Sequence, residues 1–60
     1  MIDYSGQSVL VTGAASGIGA ALSGAMADRG AYVICGDSDE EGLDQTLKAL
    51  GDQGEKIVCD

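Results

Sequence analysis

The sequence predicts an α/β fold in which strands and helices alternate and the strands pair in parallel. Two observations predict it. Short apolar runs rich in β-branched residues alternate with longer segments of helical periodicity, and glycine-containing loops separate the two kinds of segment. Such alternation leads to a parallel sheet joined by right-handed crossovers. We therefore expect the order strand, helix, strand, helix, strand, with the first strand at one edge of the sheet.

A change of period marks the first strand and the first helix. Ser8–Thr12 is a short apolar run bounded by glycines, which predicts a strand buried on both faces. Beyond a loop of small residues, Ile18, Leu22 and Met26 recur on one helical face. Gly30 suits the left-handed position just past the end of this helix.

The second half of the chain repeats the same arrangement. Tyr32–Cys35 predicts the second strand, and Ser38 followed by Glu41 matches a capping box, with Ser38 as the N-cap of the second helix. Three leucines predict the buried stripe of that helix: Leu43, Leu47 and Leu50. Gly51 suits the end of the helix, and Lys56–Cys59 predicts the third strand.

Composition excludes several classes of function. The net charge is −7 with only three basic residues, which argues against nucleic acid or an anionic membrane as a partner. Two cysteines and no histidine argue against a metal site, and we expect Cys35 and Cys59 to be buried thiols. Neither a basic leader nor an apolar span of about 20 residues is present, so we expect a cytoplasmic protein.

The loop between the first strand and the first helix is the most informative segment. It reads Thr-Gly-Ala-Ala-Ser-Gly-Ile-Gly over residues 12–19. Gly13 can adopt the backbone of a tight turn, Gly17 leaves room for a phosphate, and Gly19 lets the helix pack close to the strand. The free N–H groups of Gly17, Ile18 and Gly19 would then face an anion at the positive end of the helix.

Spaced glycines also occur where a helix only packs closely against its neighbours. The context of the loop therefore decides between phosphate binding and helix packing. The loop follows a predicted strand and opens a predicted helix. Asp37 ends the next strand, 24 positions after Gly13, and a carboxylate that binds the ribose of a dinucleotide is expected about 20 positions on. These coincidences favour a dinucleotide-binding loop.

The stretch from Leu10 to Ala21 resembles the Thr-Gly-x-x-x-Gly-x-Gly cofactor motif of the short-chain dehydrogenase/reductases, and the resemblance extends from Ser8 to Asp60. It implies a partial Rossmann-type, doubly wound, three-layer fold. It also implies that Asp37 binds both hydroxyls of the adenosine ribose and that Asp60 contacts the adenine amino group. The implied cofactor-binding residues are Gly13, Ser16, Gly17, Ile18, Gly19, Asp37, Ser38 and Asp60.

The resemblance also bears on the choice between NAD and NADP. Members that bind NADP carry a basic residue directly after the acidic position or directly before the second glycine. The corresponding residues here are Ser38 and Ser16, which are neutral. Because Asp37 would also repel a 2′-phosphate, the sequence favours NAD.

The family's reaction is hydride transfer between the nicotinamide and an alcohol or ketone, with a Tyr-x-x-x-Lys pair as the acid–base group. Neither Tyr4 nor Tyr32 is followed by lysine at that spacing, so no catalytic residue is assigned. We expect residues 1–60 to be the N-terminal part of one NAD-binding domain, in a full-length protein that forms a homo-oligomer. A non-catalytic NAD-binding module stays open. So does a methyltransferase that uses S-adenosylmethionine, although its usual Gly-x-Gly-x-Gly spacing is not found here.

Overall fold

The computed structural model describes residues 3–59 and has the alternation that the sequence predicts. The elements in chain order are β1 (Ser8–Thr12), α1 (Gly17–Asp28), β2 (Tyr32–Asp37), α2 (Glu40–Leu50), a 3-10 turn (Gly51–Gln53) and β3 (Gly54–Val58). The predicted β-α-β-α-β order is confirmed. The third strand begins two residues earlier than predicted, because Gly54 already has an extended backbone and pairs with Val33.

The three strands form one parallel sheet in the order β1-β2-β3, so β1 lies at an edge as predicted. Helices α1 and α2 contact each other as well as the sheet, as expected when two right-handed crossovers run in the same direction. The expectation that β1 is buried on both faces is met on one face only. Val11 is buried, whereas Leu10 is 63% exposed. Within residues 3–59 no second layer of helices covers the Leu10 side.

The core lies between the sheet and the two helices. Val11, Val33 and Cys35 supply its sheet side, and α2 supplies Leu43 and Leu50. The leucine stripe of α2 is confirmed, with Leu47 only half-buried. The predicted burial of both cysteines is correct for Cys35 and wrong for Cys59, which is exposed because it follows the exposed end of an edge strand, β3.

Helix α1 packs on the sheet mainly through small residues, and of its larger apolar residues Met26 packs partly against the core. Gly19, Ser23 and Ala27 are buried, whereas Ile18 is 86% exposed and Leu22 is 49% exposed. Small side chains allow the helix axis to approach the sheet closely, and the buried hydroxyl of Ser23 is satisfied because it donates to the Gly19 carbonyl at 2.8 Å. Of the periodic large residues, Ile18 and Leu22 therefore point away from this core, whereas Met26 is partly buried against it.

The N-cap of α2 is Asp39, and the prediction of Ser38 is wrong by one residue. The Asp39 side chain accepts a hydrogen bond from the Gly42 N–H at 3.1 Å. Ser38 is held outside the helix because the Asp39 N–H donates to the Asp37 carboxylate at 3.1 Å. Serine and aspartate are about equally good N-caps, so the hydrogen bond from Asp39 to the Asp37 carboxylate decides between them. None of the described helices is long and apolar enough to cross a bilayer.

The burial of α2 leads to a stability prediction. Leu43 is the largest fully buried side chain, so Leu43→Ala should lower the free energy of unfolding by about 2–5 kcal/mol. Leu47→Ala is the matched control one turn later, and its half-buried side chain should cost about half as much. Urea denaturation of the full-length protein with each substitution measures the difference. Equal losses at the two positions would contradict this account of the core.

Candidate cofactor-binding site

The candidate site lies where β1 and β2 end at their carboxyl edge. The loop of residues 13–16 leads from β1 into α1, and Asp37 is the last residue of the neighbouring strand β2. Ala14 connects the two strand ends, because its N–H donates to the Gly36 carbonyl at 3.1 Å. The crevice beyond the carboxyl ends of the strands is the usual ligand site of an open parallel sheet.

Gly13 and Ser16 fix the shape of the loop. Gly13 has a φ of 71°, in the left-handed region that the sequence predicts for it. Ser16 donates from both its hydroxyl and its backbone N–H to the Gly13 carbonyl, at 2.7 Å and 3.0 Å. As the N-cap of α1, the Ser16 hydroxyl also accepts the Gly19 N–H at 3.1 Å. The Gly19 N–H, which the sequence predicts to face an anion, is thus already engaged by the Ser16 hydroxyl.

The two glycines that begin α1 have opposite surroundings. A Cβ on Gly17 would meet no atom within 4 Å, so this stretch of backbone is open to a bound group. A Cβ on Gly19 would lie 2.0 Å from the Gly13 carbonyl oxygen, which no side chain can tolerate. Gly19 thus allows the close packing of helix against loop that the sequence predicts.

The N-terminus of α1 is free to hold an anion, whereas that of α2 is already compensated. In the described part of the chain, the N–H groups of Gly17 and Ile18 have no hydrogen-bond partner and the first turn of α1 has no acidic residue. Helix α2, by contrast, has the Asp39 carboxylate as its cap and two glutamates in its first turn. Positive helix ends bind phosphate groups well, so the N-terminus of α1 is the candidate anion site at this end of the sheet.

Asp37 faces the loop from the end of β2. One carboxylate oxygen accepts the Ala15 N–H at 3.0 Å, and the other accepts the Asp39 N–H at 3.1 Å. These backbone hydrogen bonds, from Asp39 first and then from Ala15, hold the pKa of the Asp37 carboxyl below its usual value. The carboxylate is ionised at neutral pH, and each oxygen keeps a lone pair for a further donor such as a ribose hydroxyl.

No cation of residues 3–59 forms an ion pair with Asp37. Ser16 and Ser38 are exposed and neutral. The Lys56 ammonium group lies 2.6 Å from Asp44 and 2.9 Å from Glu40, both on α2. Asp60, the residue predicted to contact adenine, lies outside the described residues. Among those that are described, no group of acidic residues and cysteines is arranged to hold a metal ion.

Two residues of α2 that the sequence analysis did not assign to the site also contact the loop. The buried hydroxyl of Thr46 donates to the Ala14 carbonyl at 2.9 Å. A Cβ on Gly42 would lie 2.7 Å from the Ala15 Cβ, so this turn of α2 packs directly against the loop. The leucine stripe signals that Thr46 is buried, since it lies on the same face, but no local pattern identifies its partner 32 residues earlier.

Known proteins match both this sequence and this arrangement. A family model described as short chain dehydrogenase matches residues 7–59. The cis-4-hydroxycyclohexanecarboxylate dehydrogenase of Sinomonas cyclohexanicum is 51% identical over 49 residues, which are 82% of this chain and 19% of that protein. A short-chain type dehydrogenase/reductase from Mycobacterium marinum has a TM-score of 0.89 at 33% identity, over 97% of this chain and 25% of that one.

A second solved structure adds a bound cofactor to the comparison. It is a short chain dehydrogenase/reductase from Burkholderia phymatum in complex with NAD, with a TM-score of 0.88 at 30% identity. The match covers 100% of this chain and 22% of that one. This chain spans about a fifth of the length of the curated relatives that it matches.

Proposed function

This chain belongs to the short-chain dehydrogenase family, and from that premise we propose that it is the NAD-binding segment of an oxidoreductase. In the full-length protein the reaction is hydride transfer between the nicotinamide and an alcohol or ketone. Residues 1–60 then form the N-terminal part of a single Rossmann-type domain, and the catalytic acid–base group lies outside them. Family membership excludes the methyltransferase interpretation.

The observation that carries the proposal is the open backbone at the start of α1. Among residues 3–59 the N–H groups of Gly17 and Ile18 have no hydrogen-bond partner, and they form the positive end of a helix whose first turn has no acidic residue. With no side chain at Gly17, a diphosphate can approach these donors directly. Gly13 and Ser16 fix the shape of the loop, and Gly19 lets α1 pack closely against it.

Asp37 supports NAD as the cofactor rather than NADP. Its ionised carboxylate can accept both hydroxyls of a ribose diol and would repel a 2′-phosphate. Ser16 and Ser38 are neutral, so neither could neutralise the charge of that phosphate. We include Asp60 as the adenine contact on the strength of the family resemblance. The nicotinamide supplies the hydride chemistry when NAD is bound, and the residues of this segment bind and orient the adenosine and diphosphate.

A non-catalytic NAD-binding module is the second candidate, because the 60 residues contain no Tyr-x-x-x-Lys. The two candidates share the same cofactor site. They differ in turnover, which an assay of NAD reduction with a panel of alcohols measures on the full-length protein.

Substitution of Gly17 tests the proposed phosphate site. Gly17→Val should raise the Kd for NAD roughly 10- to 100-fold, the loss expected when one charge-assisted hydrogen bond to the diphosphate is broken. Calorimetric titration of the full-length protein with NAD provides the measurement. Gly24→Val is the matched control, because Gly24 lies in the same helix with equally open space around it. NAD affinity that is unchanged by Gly17→Val would move the diphosphate site elsewhere.

A further inference from the structure

One peptide plane of the glycine loop is held from both sides. Its carbonyl, that of Ala14, accepts the Thr46 hydroxyl at 2.9 Å. Its N–H, that of Ala15, donates to the Asp37 carboxylate at 3.0 Å. Because the two groups of a trans peptide point in opposite directions, α2 fixes this peptide on one side and the end of β2 fixes it on the other.

The hydrogen bond from Thr46 is unusual for a helical threonine. A threonine within a helix commonly donates to the carbonyl four residues earlier, and here the Gly42 carbonyl lies 3.3 Å from the hydroxyl. The bond to Ala14 is shorter at 2.9 Å and joins residues 32 positions apart. Ala14 is fully buried, so its carbonyl would have no access to water if Thr46 did not donate to it.

The close approach of α2 to the loop depends on Gly42. A Cβ at this position would lie 2.7 Å from the Ala15 Cβ and 2.7 Å from an Asp39 carboxylate oxygen. Without a side chain at Gly42, the helix comes near enough for Thr46, one turn later, to reach the loop. Two residues of α2 therefore act on the same loop peptide.

We propose that Thr46 is a positioning residue for the cofactor, an inference that rests on the proposed NAD site. By binding the Ala14 carbonyl, Thr46 keeps the Ala15 N–H directed at Asp37, and this N–H holds the carboxylate in the orientation that receives the ribose. A flipped peptide would turn the carbonyl oxygen toward the carboxylate, where the two acceptors repel each other. The hydroxyl of Thr46 thus acts on NAD through Asp37, without touching NAD.

Removal of the hydroxyl at constant shape tests the proposal. In the full-length protein, Thr46→Val should raise the Kd for NAD about 10-fold, because a loop peptide that has lost its buried hydrogen bond is no longer held in the binding orientation and must be ordered when NAD binds. Thr46→Ser should stay within about twofold of the unaltered protein, since it keeps the donor. Thr46→Ala provides the same comparison if valine destabilises the fold. Ser23→Ala is the control, because that hydroxyl is also buried but donates within α1.

Two further measurements separate positioning from general destabilisation. The Kd for NADP should change less than the Kd for NAD, because only NAD offers Asp37 a ribose diol. In a double-mutant cycle, Thr46→Val should have little further effect on NAD once Asp37→Ala is present. Equal NAD affinity for the valine, alanine and serine variants, or additive effects in the cycle, would overturn the inference. Failure of the unaltered protein to bind NAD would instead overturn the proposed function.

Discussion

Replacing Gly19 by alanine should lower the free energy of unfolding by about 3 kcal/mol or more, at or above the upper end of the usual cost of overpacking. The added methyl group would lie 2.0 Å from the Gly13 carbonyl oxygen and 2.7 Å from the Gly13 carbonyl carbon. Both are backbone atoms, so no side-chain rotation can relieve the overlap. The loop itself is held in place by the Ser16 cap of α1 and by the hydrogen bond from Ala14 to the end of β2. The helix and the loop must separate.

The same substitution at Gly17 is the matched control, two residues earlier in the same helix. Its methyl group would enter open space, and alanine favours a helix over glycine by up to about 1 kcal/mol, so stability should be unchanged or slightly higher. Urea denaturation of both full-length variants, with the m-value monitored, measures the difference. If Gly19→Ala is as stable as Gly17→Ala, the close contact between α1 and the loop does not exist.

Local chemistry explains what the sequence predicts correctly. The boundaries of β1 follow from its short apolar run, and the positive φ angles of Gly13, Gly30 and Gly51 follow from glycine's tolerance of the left-handed region. The leucine stripe of α2 follows from the helical period. Each of these features depends on residues that are close together in the chain, where pattern and structure are directly linked.

The failures of prediction have non-local causes. Ser38 and Asp39 are comparable N-caps, and the choice between them depends on where the Asp37 carboxylate lies. The exposure of Ile18 on α1 depends on which face of the helix meets the sheet, and a close contact made by glycine and alanine has no hydrophobic signature. The bond from Thr46 to Ala14 joins two elements far apart in sequence, so only the folded chain reveals it.

The two helix N-termini at the site explain how it can select its ligand. Among the described residues, the first two N–H groups of α1 have no hydrogen-bond partner and the first turn has no acidic residue, whereas α2 begins with the Asp39 carboxylate as its cap and two glutamates. A second phosphate near α2 would meet the negative charges of Asp37 and Asp39. We therefore expect the site to bind the diphosphate shared by both dinucleotides and to disfavour the additional 2′-phosphate of NADP.

The full-length protein should prefer NAD over NADP by about 10- to 100-fold, after screening by salt and solvent. The double substitution Asp37→Ala with Ser38→Arg should shift the preference toward NADP, because it removes the repelling carboxylate and adds a cation that can pair with phosphate. Asp37→Ala alone should weaken NAD binding without strengthening NADP binding to the same degree. That carboxylate also holds the N–H groups of Ala15 and Asp39, so its loss loosens the loop that both cofactors use.

Calorimetric titration with each cofactor at two salt concentrations measures the preference. Asp52→Ala is the matched control, because it removes the same charge from the 3-10 turn before β3. This turn lies at the amino ends of the parallel strands, whereas the glycine loop lies at their carboxyl ends. It should leave the ratio of the two Kd values unchanged, since a surface charge beyond a Debye length of about 10 Å is largely screened. Equal affinity of the unaltered protein for NAD and NADP would show that the Asp37 carboxylate does not face the adenosine ribose, even if the diphosphate binds at α1.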